Sequence, residues 1–473
     1  MDAVSPDRIV IVGGGITGLA AAWELRDLPH RTPDPVEVVV LEGSPAVGGK
    51  LRSAEVGGHP IDVGAESMLA RRPEAVGLLA EAGLTDRVVH PTGVPAAVWS
   101  RGRRWPLPPR TLMGVPSETA PAAGLLDESE LARLRDEELT PPVEGDVSVG
   151  DFVAARLGPA VVDRLVEPLL AGVYAGHARL LSLRATVPAL WPAAAAGTSI
   201  VAAARRAADA GQAVSGPVFA GYRGGLGSLV GDLRDRLVEH GVVIRTGATV
   251  RALERHATGW SLTVGPTTAP ELVTADAVVL AVPAAPTSRL LAELAPRAAT
   301  ALAAVDYASV ALVSYAVPRS EAGALVGSGF LVPPSEPGTI KASTFSAAKW
   351  EWVGALDPDV VHLRVSFGRA GETAVLQRSD DELAALGVDD LERVLGARLH
   401  PVDAQVQRWG GGLPQYAVGH LDRVAAVRHD VDRLAGLEVA GAAYDGVGIP
   451  ACIGSGRRAA QAVATHLRAA THA

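Results

Sequence analysis

A mixed α/β and α+β fold of more than one domain is what this sequence predicts, and three observations carry the prediction. A chain of 473 residues exceeds what one hydrophobic core serves. Its opening reads as strand, glycine turn, helix and second strand, the start of a doubly wound unit. From residue 287 to about 408, strand-like runs such as "SVALVSYAV" and "VVHLRVSFG" alternate with one helical pattern, "SDDELAALGVDDLERVLG", and no β-α-β repeat. Apolar residues make up 48% of the chain and charged residues 20%, an ordinary globular balance. A net charge of −9 argues against nucleic acid, whose phosphates need a basic face. Of the 43 basic residues, forty are arginine and three lysine, which supplies many guanidinium forks for carboxylates.

The first element is "RIVIVGGGITGLAAAWEL" (8–25), in which Gly13, Gly15 and Gly18 fit G-x-G-x-x-G. The first glycine permits the tight turn, the second lets a pyrophosphate approach the backbone, and the third lets helix and strand pack closely. Gly14, Ile16 and Thr17 complete the loop that faces the phosphates with helix N–H groups. The second strand, "VEVVVLE", ends in Glu42, placed to accept from a ribose diol. The following "GSPAVGG" carries no Arg or Lys for a 2′-phosphate, which disfavours NADP.

Glu42 is followed by "GGKLRS", and E-x5-G-G-[KR]-x-x-[ST] resembles the FAD-binding signature of the flavoprotein superfamily that includes amine oxidases and phytoene desaturases. Gly49 and Lys50 are the matching positions. "IDVGAESML" resembles the superfamily's segment beside the flavin ring, through Gly64, Ala65, Glu66 and Ser67. The resemblance implies a Rossmann-like FAD-binding domain of the amine oxidase and glutathione reductase type, with an α+β substrate domain and a helical insertion. We assign residues 1–95, 219–286 and 409–473 to the FAD domain, 96–218 to the mainly helical insertion, and 287–408 to the α+β substrate domain. In the superfamily Val250 would make the backbone contact beside the adenine.

Further stretches narrow the resemblance. "EPLLAGVYAGHARLLSLRATVPAL", "GYRGGLGSLV", "FSAAKWEW", "RWGGGLPQYAVGH" and "AGAAYDGVGIPACIGSG" are similar, in matching order, to the porphyrinogen oxidases of haem biosynthesis. The resemblance implies an O₂-using flavoenzyme that oxidises coproporphyrinogen III to coproporphyrin III in three two-electron steps with release of H₂O₂. The sister activity on protoporphyrinogen IX is the alternative, and a flavin amine oxidase a more distant one. A carrier that hands a tetrapyrrole to a chelatase, using FAD only structurally, is the non-enzymatic reading, which turnover of porphyrinogen with O₂ would exclude. The substrate's propionates call for cations, and Arg71 is the first candidate; the resemblance places Tyr174 and His177 over the macrocycle and Lys349 near the flavin, where a cation would stabilise its reduced form, while Arg101, Arg103 and Arg104 read better as a solvated loop. Trp409 matches a tryptophan that packs near the flavin. No Ser–His–Asp set, metal-spaced histidines or paired carboxylates stand out, so the catalytic base is unassigned and no metal is expected.

At the C-terminus, the second glycine loop (439–456) would bring Gly448 and Ile449 to the flavin, followed by a helix. Asp445 reads as a turn former and Cys452, the single cysteine, as a small buried hydrophobe, so FAD is expected to be non-covalent. "MDAVSPDR" lacks the apolar run of a signal peptide. The charge-free stretch 185–204 is interrupted by Pro188, Pro192 and Gly197, which suits a buried or membrane-touching helix better than a span. A cytoplasmic protein, with at most peripheral membrane contact and transient docking to a downstream chelatase, is the resulting expectation.

Overall fold

The computed structural model describes residues 7–28, 36–213 and 216–471; residues 1–6, part of the segment read for a signal peptide, lie outside them. Five strands distant in sequence meet in one sheet, in the spatial order Val243–Arg245, Val36–Leu41, Asp7–Val12, Ala277–Leu280 and Leu437–Val439. Every neighbouring pair is parallel. Parallel pairs need crossover connections, so elements cover both faces and the strands become continuous apolar runs. "RIVIV" shows the result. Ile9 and Ile11 pack under the helices Ile16–Leu25, Leu226–Glu239 and Ile449–Thr471, while Val10 and Val12 face the opposite layer. That layer holds an antiparallel three-stranded unit (Val250–His256, Gly259–Val264, Glu271–Ala275) and the helices Pro296–Ala303 and His420–Val431.

The first and last of these helices touch closely. A Cβ on Gly456 would stand 2.2 Å from the carbonyl oxygen of Thr17, so glycine is required where the helices meet. The first and last described helices therefore meet beside the first glycine turn.

A second sheet has seven strands, in the order Asp403–Pro414, Tyr307–Pro318, Val360–Phe367, Ile340–Thr344, Gly329–Leu331, Ala97–Ser100 and Arg103–Pro106. The helix Asp380–Leu395 covers one face, begun by a capping box between Ser379 and Glu382. The hairpin at the sheet's edge falls inside the span 96–218 that the sequence groups with the helical insertion. Here Ala97 and Val98 pair in parallel with Phe330 and Leu331. Val98 and Trp99 are buried while Arg103 is exposed, so a charged rim masks a strand that ends the sheet.

The helices between residues 149 and 213 enclose their own apolar cluster around Phe152, Leu165, Leu170 and Leu190. The charge-free stretch is not one helix. It breaks into Leu183–Thr186, Pro188–Leu190, Trp191–Ala196 and Ile200–Ala213, with Pro188 and Pro192 opening new turns and Gly197 closing one at φ +65. Among the described residues no helix is long and apolar enough to cross a membrane.

Candidate active site

The strand Asp7–Val12 delivers the chain to Gly13 at φ +108, with a Cβ position 2.7 Å from the Ala281 carbonyl oxygen. Gly18 is enclosed more tightly, its Cβ position lying 1.9 Å from the carbonyl oxygen of Gly13. Gly15 differs from both. Its Cβ position meets nothing within 4 Å, and it begins the helix Ile16–Leu25 with no side-chain cap and no acid in the first turn. An open glycine surface and a bare positive helix end make a cradle that fits a pyrophosphate. Gly48 N donates to the Gly14 carbonyl at 2.8 Å, and the Cβ position of Gly49 faces Gly15 Cα at 3.5 Å. The two glycine loops thus stand edge to edge. Glu42 accepts from Gly14 N at 2.7 Å and Ser44 N at 2.8 Å, and its Oε2 keeps a lone pair for a ribose hydroxyl. Ala248 N donates to the Glu42 carbonyl at 2.8 Å, which brings Val250 to the same edge.

The segment Asp62–Ser67 is held from three sides. Asp62 accepts from Leu226 N at 2.8 Å and Gly227 N at 3.2 Å, capping the helix Leu226–Glu239, and burial raises its carboxyl to about 6. A Cβ on Gly64 would lie 2.0 Å from the Lys50 carbonyl oxygen, which accepts from Ala65 N at 3.1 Å. Trp409 donates from its indole to the Val63 carbonyl at 3.0 Å and lies beside Ala175 and Ala370. Glu66 forms a buried ion-pair triad with Lys349 and Arg364, the latter at 3.2 Å. Burial would raise the Glu66 carboxyl, but Arg364, Lys349 and the Trp350 indole override it and hold it at about 2. Arg364 also donates to the Gly64 carbonyl at 2.8 Å. Sequence reasoning missed Arg364; the available signal was a lone arginine inside the apolar run "VVHLRVSFG". Ser67 ends the segment half-buried.

The C-terminal loop closes the same region. Gly448 is exposed, and Ile449, which begins the last helix, packs against Ile16 and the first core cluster. Thr17 is buried beneath it. Asp445 is more than a turn former: it accepts from Arg428 at 2.6 Å, Arg458 at 2.8 Å and the Ser455 hydroxyl, tying the loop to two helices. Cys452 is buried, its thiol pushed up to about 11 by burial, with Thr17 and the Lys50 charge acting the other way. The Lys50 ammonium is lowered by burial, with the Cys452 charge opposing.

The four substrate candidates do not converge. Arg71 is held by backbone, donating to the carbonyls of Gly211 at 2.7 Å and Gly216 at 3.3 Å. Lys349 is engaged by Glu66. Tyr174 and His177 lie together where the helix Glu167–Tyr174 ends, with Ala175 at φ +48. The Tyr174 ring meets that of Tyr416 with centroids 5.6 Å apart, and burial raises its phenol to about 12. His177 Nδ1 faces Glu167 at 2.9 Å and Nε2 faces the Ala370 carbonyl at 3.1 Å. Its pKa is raised, first by the hydrogen bond to Glu167.

Sequence and fold both resemble proteins already known. Residues 16–464 match the family described as flavin containing amine oxidoreductase. The coproporphyrinogen III oxidase of Mycobacterium tuberculosis is 42% identical over 467 residues, covering 97% of this chain and 98% of that protein. The coproporphyrinogen III oxidase of Bacillus subtilis is 30% identical over 473 residues, again 97% of this chain and 98% of the other. A crystal structure from Exiguobacterium sp. 255-15 matches with a TM-score of 0.83 at 31% identity, covering 98% of this chain and 100% of that one.

Proposed function

This chain belongs to the flavin-containing amine oxidoreductase family, and we propose that within it the protein is an FAD-dependent oxidase converting coproporphyrinogen III to coproporphyrin III. The observation that carries the reading is the end-to-end similarity to coproporphyrinogen III oxidases, 42% identical over 97% of the chain. The conversion removes six hydrogens from the macrocycle, balanced by three O₂ reduced to three H₂O₂. FAD, when bound, would supply the two-electron acceptor.

The chain's own residues bind and orient. The opposed loops at Gly13–Gly15 and Gly48–Gly49 would hold the pyrophosphate against the amino end of the helix Ile16–Leu25. Glu42 would take the ribose, with Val250 at the same edge. The segment Gly64–Ser67, fastened by Arg364 and Trp409, would support the ring from one side, and Gly448 and Ile449 from the other. Both ring nitrogens of His177 are engaged, with Glu167 and the Ala370 carbonyl, and we give it an orienting role. Tyr174 stays protonated near neutrality. Pyrrole protons therefore pass to solvent, and positioning is the protein's contribution. The buried Cys452 thiol, held well above neutral pH, supports non-covalent FAD.

The test offers both porphyrinogens to purified protein in air and follows porphyrin fluorescence with peroxide release. Coproporphyrin formation with three peroxides per macrocycle is expected, together with release of all flavin on denaturation. No turnover of either substrate would overturn the reading; preference for protoporphyrinogen IX would move the protein to the sister activity.

A further inference from the structure

Only three of the 43 basic residues are lysines, and Lys341 is the one that the flavin-facing segments leave unused. It is 6% exposed and lies in the strand Ile340–Thr344, at a register shift between Ile340 and Ala342. Such a bulge re-aims a side chain. Ile340 packs into the cluster beneath the helix Asp380–Leu395; Lys341 stands outside that cluster and donates to the Gly368 carbonyl at 2.8 Å. On the neighbouring strand Leu331, paired with Ala342, lies 3.7 Å from the Cβ position of Gly172 in the helix Glu167–Tyr174.

Next to Gly368 comes Arg369, 7% exposed. Its Nη2 donates to the Val332 carbonyl at 2.8 Å and its Nη1 faces Glu372 at 3.4 Å, while its buried Nε has no acceptor among the described residues. Ala370 is then fastened to the helix end, its N donating to the Ala175 carbonyl at 2.7 Å and its carbonyl accepting from His177. Three basic side chains thus gather on one seam. His177 is balanced by Glu167 and Arg369 by Glu372. Among the described residues no carboxylate lies within ion-pair distance of Lys341; burial, with Arg369 beside it, pushes its ammonium down to about 7, with the more distant Glu372 charge acting the other way. A buried ammonium without a carboxylate is costly unless a ligand brings one.

Position fits a ligand carboxylate as well. Gly368 lies four residues beyond Arg364, which holds the Gly64 carbonyl. At about 3.3 Å per residue the separation is about 13 Å. A tetrapyrrole whose reacting carbon sits at the flavin segment spans that distance to an outlying propionate.

We propose that Lys341, backed by Arg369, is a carboxylate-recognition point that takes a propionate of the porphyrinogen where the protoporphyrinogen series carries vinyl. The site rests on the functional reading above and would make Lys341 a specificity-determining residue between the two substrates. Lys341→Met removes the charge at similar length. It should raise KM for coproporphyrinogen III about 10- to 100-fold with kcat little changed, and leave KM for protoporphyrinogen IX unchanged or lower. Lys341→Arg should restore most of the preference. Independently of turnover, fluorescence titration should show the wild type binding coproporphyrin III tighter than its tetramethyl ester, and K341M losing that difference. Because an unbalanced buried charge is removed, K341M should not melt below the wild type. Equal losses on both substrates, a lowered Tm with an unchanged substrate ratio, or an undiminished acid-over-ester preference would each show Lys341 to be a strap for Gly368 and overturn the site. A wild type that oxidises neither porphyrinogen overturns the functional reading itself, whereas a wild type that oxidises coproporphyrinogen beside a K341M with unchanged discrimination overturns only the carboxylate point.

Discussion

Gly15 and Gly18 sit three residues apart in one turn, yet alanine should act on them in opposite ways. At Gly15, with φ −71 and open space at Cβ, alanine costs no strain; the apo protein should keep its Tm while the added methyl enters the pyrophosphate cradle. Flavin titration of apo G15A should show affinity down by about 10-fold or more. At Gly18 the methyl would lie 1.9 Å from a carbonyl oxygen, so G18A should fail to fold or lose several degrees of Tm before any effect on flavin is read. Glu66 gives a pH-dependent prediction. Its folded pKa is depressed to about 2, so its ion pairs stabilise fully above the unfolded value near 4.5 and are lost as pH falls through 2. Thermal melts of Glu66→Gln between pH 5 and 2 should therefore show less acid sensitivity than the wild type, while Arg364→Ala, which leaves a buried carboxylate with one cation, should cost about 3 kcal/mol at neutral pH. These charges could not be paired from sequence. Glu66 was recognisable through its motif, but Arg364 comes to it from a strand 298 residues further on, as the ion pair shows.

Among the elements, two junctions carry the site. The contact between the helices Ile16–Leu25 and Ile449–Thr471 depends on Gly456. Gly456→Val should force the helices apart, lowering stability by about 1–3 kcal/mol and weakening flavin retention together, as denaturant melts and flavin content would show. The other junction ties the helix Glu167–Tyr174 to residues 368–372 through His177. Its pKa is raised, so its contribution is complete below the unfolded value near 6.5 and fades as pH rises through the folded value. His177→Gln should accordingly destabilise more at pH 6 than at pH 9; an equal loss at both would mean that the ring is held by packing and not by charge. This helix lies in the span that the sequence assigns to a mainly helical insertion. The sequence did not show that the edge hairpin Ala97–Pro106 belongs to the seven-stranded sheet, because the arginines that guard the edge hide the strand pattern.

For the whole molecule, the proposed flavin site is a meeting of distant segments: residues 13–18, 42–50, 62–67, 248–250, 364, 409 and 445–452. Removing the last strand and helix by ending the chain before Leu437 should abolish flavin binding while leaving the second sheet intact, which circular dichroism and flavin content would test together. Sequence by itself determined the local geometry that glycine and helix chemistry dictate: the turn at Gly13, Glu42 at the end of the second strand, the second glycine pair and the C-terminal loop. These are read within a few residues of one another, because backbone freedom and helix dipoles act locally. Only the tertiary structure decided which cations are free. Arg71 is taken by carbonyls of a helix end, Lys349 by Glu66 and His177 by Glu167, while Lys341 is buried with no carboxylate in ion-pair distance among the described residues. Charge balance in an interior is settled by groups that approach across sheets and helices, and their order along the chain does not encode those distances.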